Sequence, residues 1–392
     1  MIKIEHKDLS RIAQIYSDKI KEKFLERIEI SLEIIKFLNK KEEIQDSDIA
    51  KVQGRIPALK AVADLEKIYK SKHKGGTGKD KEDLIYSLNK LGVRVDKRSK
   101  CRRGNKYATV EYQLKEIERF VNENDLFVSQ PKELLIFNNK LANKFKDSKS
   151  LKTKLYNYLF DYNVYRELLN TYIGQALGLK CCPYCNRNYI TYVNKENNKR
   201  LIGATYDHFF YKKKYKYLTL SFYNLIPSCY ICNSNLKRDI DFKIENHIHP
   251  YIEGFDSNAV FDFDLSSSLD SKKICFEPKL IAKEPIKEED RKKIFGVEEE
   301  KASGSVNVFK LQEIYKSHGD SVEEIHEKFD ENSKYYVGTI SDIISILRTS
   351  EEEFYRFHFR NYFNKTDFHR RPLSKLNRDI YDKMKRILEL TI

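Results

Sequence analysis

The 392-residue chain contains no tryptophan and two methionines, and its 14 glycines and 8 prolines leave few places where a helix must break. That scarcity favours long helices over many tight-turned strands. No run of about 18 apolar residues occurs, which excludes a helical membrane span. The opening Met1-Ile-Lys-Ile-Glu-His6 alternates polar and apolar residues and lacks the apolar stretch of an export signal, so a cytoplasmic location is expected. Cysteine is sparse and odd in number, seven in all, which argues against a disulfide framework.

Aromatic residues and positive charge are abundant. Twenty-six tyrosines and 23 phenylalanines, within a 40% hydrophobic fraction, supply real cores and exclude wholesale disorder. At about 150 residues per domain the length allows two or three domains. Lysine and arginine outnumber aspartate and glutamate by 73 to 59, and the excess is uneven. Residues 1–150 carry 34 basic and 24 acidic side chains, residues 151–250 carry 15 and 7, and residues 251–392 carry 24 and 28. The basic front two-thirds suits a polyanionic partner, whose condensed counterions are released when lysines and arginines neutralise phosphates.

Apolar residues at three- and four-residue steps, Leu25, Ile28, Leu32, Ile35 and Leu38, predict one helix face near the start of the chain. Leu373, Leu376, Ile380, Met384 and Ile387 predict another after Pro372. Residues 161–177 read as a helix stopped by Gly178. Tyr189–Val193 and Leu201–Phe210 read as strands around a turn at 194–200, and Val260–Phe263 with Ile274–Phe276 as a small hairpin. A charged linker is expected at about 283–304. The segment Lys70–Lys81 contains Gly78-Lys79, but His73 stands where a phosphate-cradling loop needs its first glycine. Asp80 replaces the magnesium-binding hydroxyl, so a basic loop is the expectation.

Four cysteines form two Cys-x-x-Cys pairs, Cys182-Pro-Tyr-Cys185 and Cys229-Tyr-Ile-Cys232. Two such turns aim four sulfurs at one point, the closed tetrahedral arrangement of structural zinc. Cys181 competes with Cys182 but gives a longer step. Between the pairs lie Asp207-His208, at the end of an apolar strand, and Asn224; Asn233 directly follows Cys232. One imidazole, one carboxylate and one or two amides gathered by a metal clamp are the parts that phosphodiester hydrolysis needs. They supply a base for water and oxygen ligands for Mg²⁺ or Mn²⁺.

Cys182-Pro-Tyr-Cys185-Asn186, Asp207-His208-Phe209, Asn224-Leu-Ile-Pro-Ser-Cys229 and Cys232-Asn233-x-x-x-Lys237 together resemble the HNH (ββα-metal) endonucleases, in the variant bracketed by zinc knuckles. The resemblance spans Cys182 to Tyr251. It implies that His208 is the general base, that Asp207 and Asn233 bind the catalytic divalent ion, and that Asn224 fixes the loop carrying His208. His249-Pro-Tyr251 is similar to a tail of HNH subunits in bacterial anti-phage systems of the Septu type, and Phe309–Tyr315 and Arg371–Leu376 are consistent with such proteins. This implies an ABC- or SMC-like ATPase partner.

The run Tyr211-Lys-Lys-Lys-Tyr-Lys-Tyr217 interleaves cations and aromatics, so Lys212, Lys213, Lys214 and Lys216, with Lys237 and Arg238, are candidates for nucleic-acid contact. His249 is a further candidate; the remaining histidines read as surface or structural. The expected protein is α+β: a basic, mainly helical region over 1–150, a nuclease domain with its four-cysteine zinc site over 151–260, and a hairpin, linker and helices over 261–392. Its expected activity is metal-dependent cleavage of nucleic acid, DNA foremost. The rival readings are a zinc ribbon that binds nucleic acid without chemistry and a subunit that docks an ATPase.

Overall fold

The computed structural model describes residues 1–39, 108–144, 159–194, 200–256, 258–267, 274–297, 300, 302–330 and 350–391. The basic loop at 70–81 and the turn at 195–199 lie outside them. The described residues form a mixed α/β structure, mostly helical, with three two-stranded antiparallel sheets. None of the described helices is long and apolar enough to cross a membrane.

Two compact units are present, and their boundaries cut across the three consecutive segments expected. One comprises Met1–Ile12, Leu169–Lys214 and Tyr223–Ile392; the other comprises Ala13–Leu168 and Tyr215–Phe222. The 261–392 segment therefore shares a unit with the cysteine pairs, and so do the first residues of the chain. Met1, Ile2 and Ile4 are buried. The Ile2 N–H donates to the Pro183 carbonyl at 2.9 Å and the Ile4 N–H to the Pro250 carbonyl at 2.7 Å.

The second unit is organised by helix α1, Leu9–Asn39. The helix forms where expected, but its buried face is Tyr16, Ile20, Phe24 and Ile28, while Leu25 and Leu32 are only half-buried. Spacing by four through two aromatics sets this face, because large rings bury the most surface. Phe24 meets Phe127 at 5.3 Å and Phe160 at 5.0 Å between ring centroids. Phe160 in turn meets Tyr217 at 5.4 Å. Truncating Phe24 to alanine is expected to cost about 3–5 kcal/mol, read as a lower urea midpoint of this unit.

The first unit holds all three sheets. Strands β1 (Val193–Asn194) and β2 (Arg200–Ile202) pair briefly. β3 (Thr205–His208) pairs with β4 (Leu225–Ser228) in the register Thr205 to Ser228 and His208 to Leu225. A π-helix, Ile231–Lys237, follows β4. Strands β5 (Ala259–Ser267) and β6 (Ile274–Ala282) make a hairpin longer than its predicted core. The expected linker carries a helix, α2 (Glu288–Phe295). The last helix, α3 (Ser374–Thr391), buries Leu376, Ile380, Tyr381 and Met384, whereas Ile387 is exposed.

The predicted 161–177 helix is α-helical over Tyr162–Leu169 and turns to π over Asn170–Gln175. It ends as expected at Gly178, whose φ of 60° favours glycine. The π turn shifts the buried face onto Leu169, Ile173 and Leu177 and leaves Ala176 exposed.

Candidate functional site

Cys182, Cys185, Cys229 and Cys232 are buried together, with their four sulfurs within 4.8 Å of one another. Tetrahedral ligation at about 2.3 Å per sulfur needs sulfur separations of roughly 3.8 Å, and Cys185 Sγ lies 4.0 Å from Cys229 Sγ. The cluster can therefore hold a structural metal such as zinc. Cys181 is outside it; burial pushes that thiol up to about 12.

Amide groups support the sulfurs from outside. Asn188 Nδ2 donates to Cys229 Sγ at 3.4 Å, and the Cys232 N–H does so at 3.5 Å. Hydrogen bonds from the Cys182, Cys185 and Cys232 thiols hold Cys229 well below the usual thiol range. Burial pushes Cys182 up. Four thiolates cannot share this space without a cation.

Asn186 ties the first knuckle into the rest of the unit. Its backbone is left-handed at φ 48°, a conformation asparagine tolerates better than most residues. Its Nδ2 donates to the Phe368 carbonyl at 2.8 Å, and its Oδ1 accepts from the Lys375 N–H at 3.0 Å. The Leu373 N–H donates to the Asn186 carbonyl at 2.7 Å. Sequence reasoning missed this link because its partners lie far along the chain; the asparagine directly after a knuckle is the one local signal.

Asp207 and His208 are the last two residues of β3, and both are buried. The Tyr184 hydroxyl donates to Asp207 Oδ2 at 2.6 Å. Burial, reinforced by the Asp207 charge, holds that phenol well above its ordinary range, so it stays a donor. Lys237 Nζ reaches Asp207 Oδ1 at 3.0 Å and the His208 carbonyl at 2.7 Å, and it sits 4.8 Å from the Phe242 ring centroid.

Asn224, fully buried, immediately precedes β4. Its Oδ1 accepts from the Phe210 N–H at 2.8 Å, and its carbonyl accepts from the Phe209 N–H at 2.9 Å. Asn233 is the third residue of the π-helix and is half-buried. Its N–H donates to the Cys229 carbonyl at 3.1 Å, which anchors the helix start on the second knuckle. Helices of this type are rare and concentrate at functional sites.

Lys237 is a correction to the sequence reading. Its ammonium is buried with Asp207, at 1% and 3% side-chain exposure, and so does not meet a ligand in solvent. A buried ion pair requires both partners, and losing one costs about 3–5 kcal/mol. Arg238, the next residue, is exposed. Lys212, Lys213 and Lys214 are exposed too, and two of them face acids of their own chain. Lys214 pairs with Asp241 at 2.7 Å and Lys213 with Asp239 at 3.9 Å. Lys216 belongs to the other unit, over the Tyr217 ring.

His249 is fully buried, tilted against Phe209 at 4.2 Å between ring centroids. Burial lowers its imidazole to about 3, so the ring is uncharged at physiological pH. The ring packs on Phe209 in the core.

Asp207 thus accepts from Tyr184 through one oxygen and from Lys237 through the other, and a carboxylate has about four lone-pair sites in all. Compared with family models, with curated proteins and with solved structures, the chain matches none.

Proposed function

We propose that the protein is a zinc-stabilised, metal-dependent endonuclease of the HNH type that hydrolyses phosphodiester bonds in DNA. The observation that carries this reading is the placement of His208 at the end of β3, with Asn224 holding the backbone just after it and Asn233 opening the helix that follows β4. His208 takes a proton from water as its oxygen attacks phosphorus, and the bond to the 3′-oxygen breaks. A divalent ion on Asp207 and Asn233 would neutralise the charge that develops on the phosphate. Zinc is the metal proposed for the four cysteines, through their soft sulfurs and closed geometry. Lys212, Lys213, Lys214 and Arg238 are the exposed cations proposed to meet the phosphate backbone.

The wider proposal is an effector of bacterial anti-phage defence that works in the cytoplasm with an ABC- or SMC-like ATPase. It is supported by the resemblance around His249-Pro-Tyr251 alone. The experiment is cleavage of supercoiled plasmid by the purified protein in Mg²⁺ or Mn²⁺, with RNA in parallel and EDTA as control. Nicking or linearisation is expected with the metal, and none with EDTA. Binding of plasmid without cleavage, unchanged when an ATPase partner is supplied, would favour the zinc-ribbon binding module instead.

A further inference from the structure

We propose that Tyr184 and Lys237 are positioning residues for His208, so that the cysteine cluster sets the geometry of the His208 site as well as holding the fold. The inference rests on the reading of His208 as the base. It starts from where the two partners of Asp207 come from. Tyr184 lies inside the first knuckle, between Cys182 and Cys185. Lys237 ends the π-helix that contains Cys232. Each cysteine pair therefore sends one side chain to a different oxygen of the same carboxylate.

Neither side chain has room to do otherwise. The Tyr184 ring is stacked on Phe309, with centroids 4.4 Å apart and planes 24° from parallel, which fixes the direction of its hydroxyl. Lys237 spans two acceptors with one ammonium, the Asp207 side chain and the His208 main-chain carbonyl, against the Phe242 ring. The peptide that bears His208 is thus held on one side by Lys237, and the next two N–H groups are held by Asn224. A catalytic group must be kept within about 0.5 Å and 10–20° of its working geometry.

Three variants test this: Tyr184→Phe, which keeps the ring and removes the hydroxyl, Lys237→Met, and Lys237→Arg. Zinc content, the ¹H–¹³C resonance of the His208 imidazole (assigned with His208→Ala) and steady-state cleavage are measured on the full chain. Tyr184→Phe is expected to keep its zinc while the His208 resonance moves and kcat falls about 10–100-fold at unchanged KM. Lys237→Met is expected to fall further, and Lys237→Arg to recover part of the loss.

A Tyr184→Phe protein with wild-type resonance and wild-type kcat would overturn the proposal. So would loss of zinc in step with activity, since that is the signature of a merely structural role. If the wild-type protein cuts no nucleic acid, alone or with an ATPase partner supplied, the nuclease reading fails by itself. A moved His208 resonance in zinc-loaded Tyr184→Phe would still support the positioning, and an unmoved one would refute it.

Discussion

His208→Ala is expected to lower the cleavage rate by about 10²–10⁴-fold, the usual contribution of a general base. Its zinc content and circular dichroism should stay at wild-type values. The separation of the two effects follows from the local structure. Main-chain pairing with β4, the Lys237 bond to the His208 carbonyl and the Asn224 bonds to Phe209 and Phe210 all hold the end of β3 through backbone groups. Truncation at His208 leaves a buried void, so a stability loss of a few kcal/mol is expected by analogy with other large-to-small changes. Single-turnover cleavage at saturating Mg²⁺ distinguishes the outcomes. An alanine variant that cuts at the wild-type rate would remove His208 from the chemistry and leave the basic surface as the functional feature.

The contrast with Asn224→Ala sharpens the assignment. Asn224 holds the backbone after His208 through Oδ1 and its own carbonyl. Its side-chain bond is buried, and leaving the Phe210 N–H unsatisfied costs about 1–3 kcal/mol. Asn224→Ala should therefore lose stability, as His208→Ala does, but its rate should fall less because the imidazole is still present.

Much of this was legible in the chain because it is local. Two Cys-x-x-Cys turns can be read from spacing alone, since residues three apart in a tight turn converge without help from the rest of the fold. The helix over Glu288–Phe295 was legible too, though composition read it as a linker. Glu288, Glu289 and Asp290 fill its first turn and Lys292 and Lys293 its last, which complements the helix dipole, and Gly296 at φ 83° stops it.

Burial of charge was not legible. Lys237 looks like any basic residue on a helix until β3 brings Asp207 and the His208 carbonyl to it, and a cation so paired is lost to solution. The link from Asn186 to Phe368, Leu373 and Lys375 is likewise a product of tertiary closure. The buried Met1, Ile2 and Ile4 belong with these cases, because their partners at Pro183 and Pro250 lie far along the chain.

Cys229→Ser carries the largest expected effect on stability. A serine hydroxyl is a poor soft-metal ligand, and binding energy at structural zinc sites is folding energy, on the order of 10 kcal/mol. Cys229 is also the sulfur with the most support: Asn188 Nδ2 and the Cys232 N–H both point at it, and neighbouring thiols hold it toward thiolate. On the proposed zinc assignment, its loss should abolish metal binding at the cluster and unfold the first unit, whose core runs directly from the knuckles. Tyr184 stacks on Phe309, and Tyr315 donates from its hydroxyl to the Cys185 carbonyl at 2.5 Å. Cys181→Ser is the matched control, one residue away from Cys182 yet outside the cluster, and it should keep its zinc. The α1-centred unit contains no ligand of the cluster. Zinc content by elemental analysis, followed by thermal melts with and without a chelator, checks both. Undiminished zinc in Cys229→Ser would refute the four-sulfur site. Zinc loss without unfolding would mean that the aromatic core around Phe309 and Tyr315 is sufficient to hold the unit together.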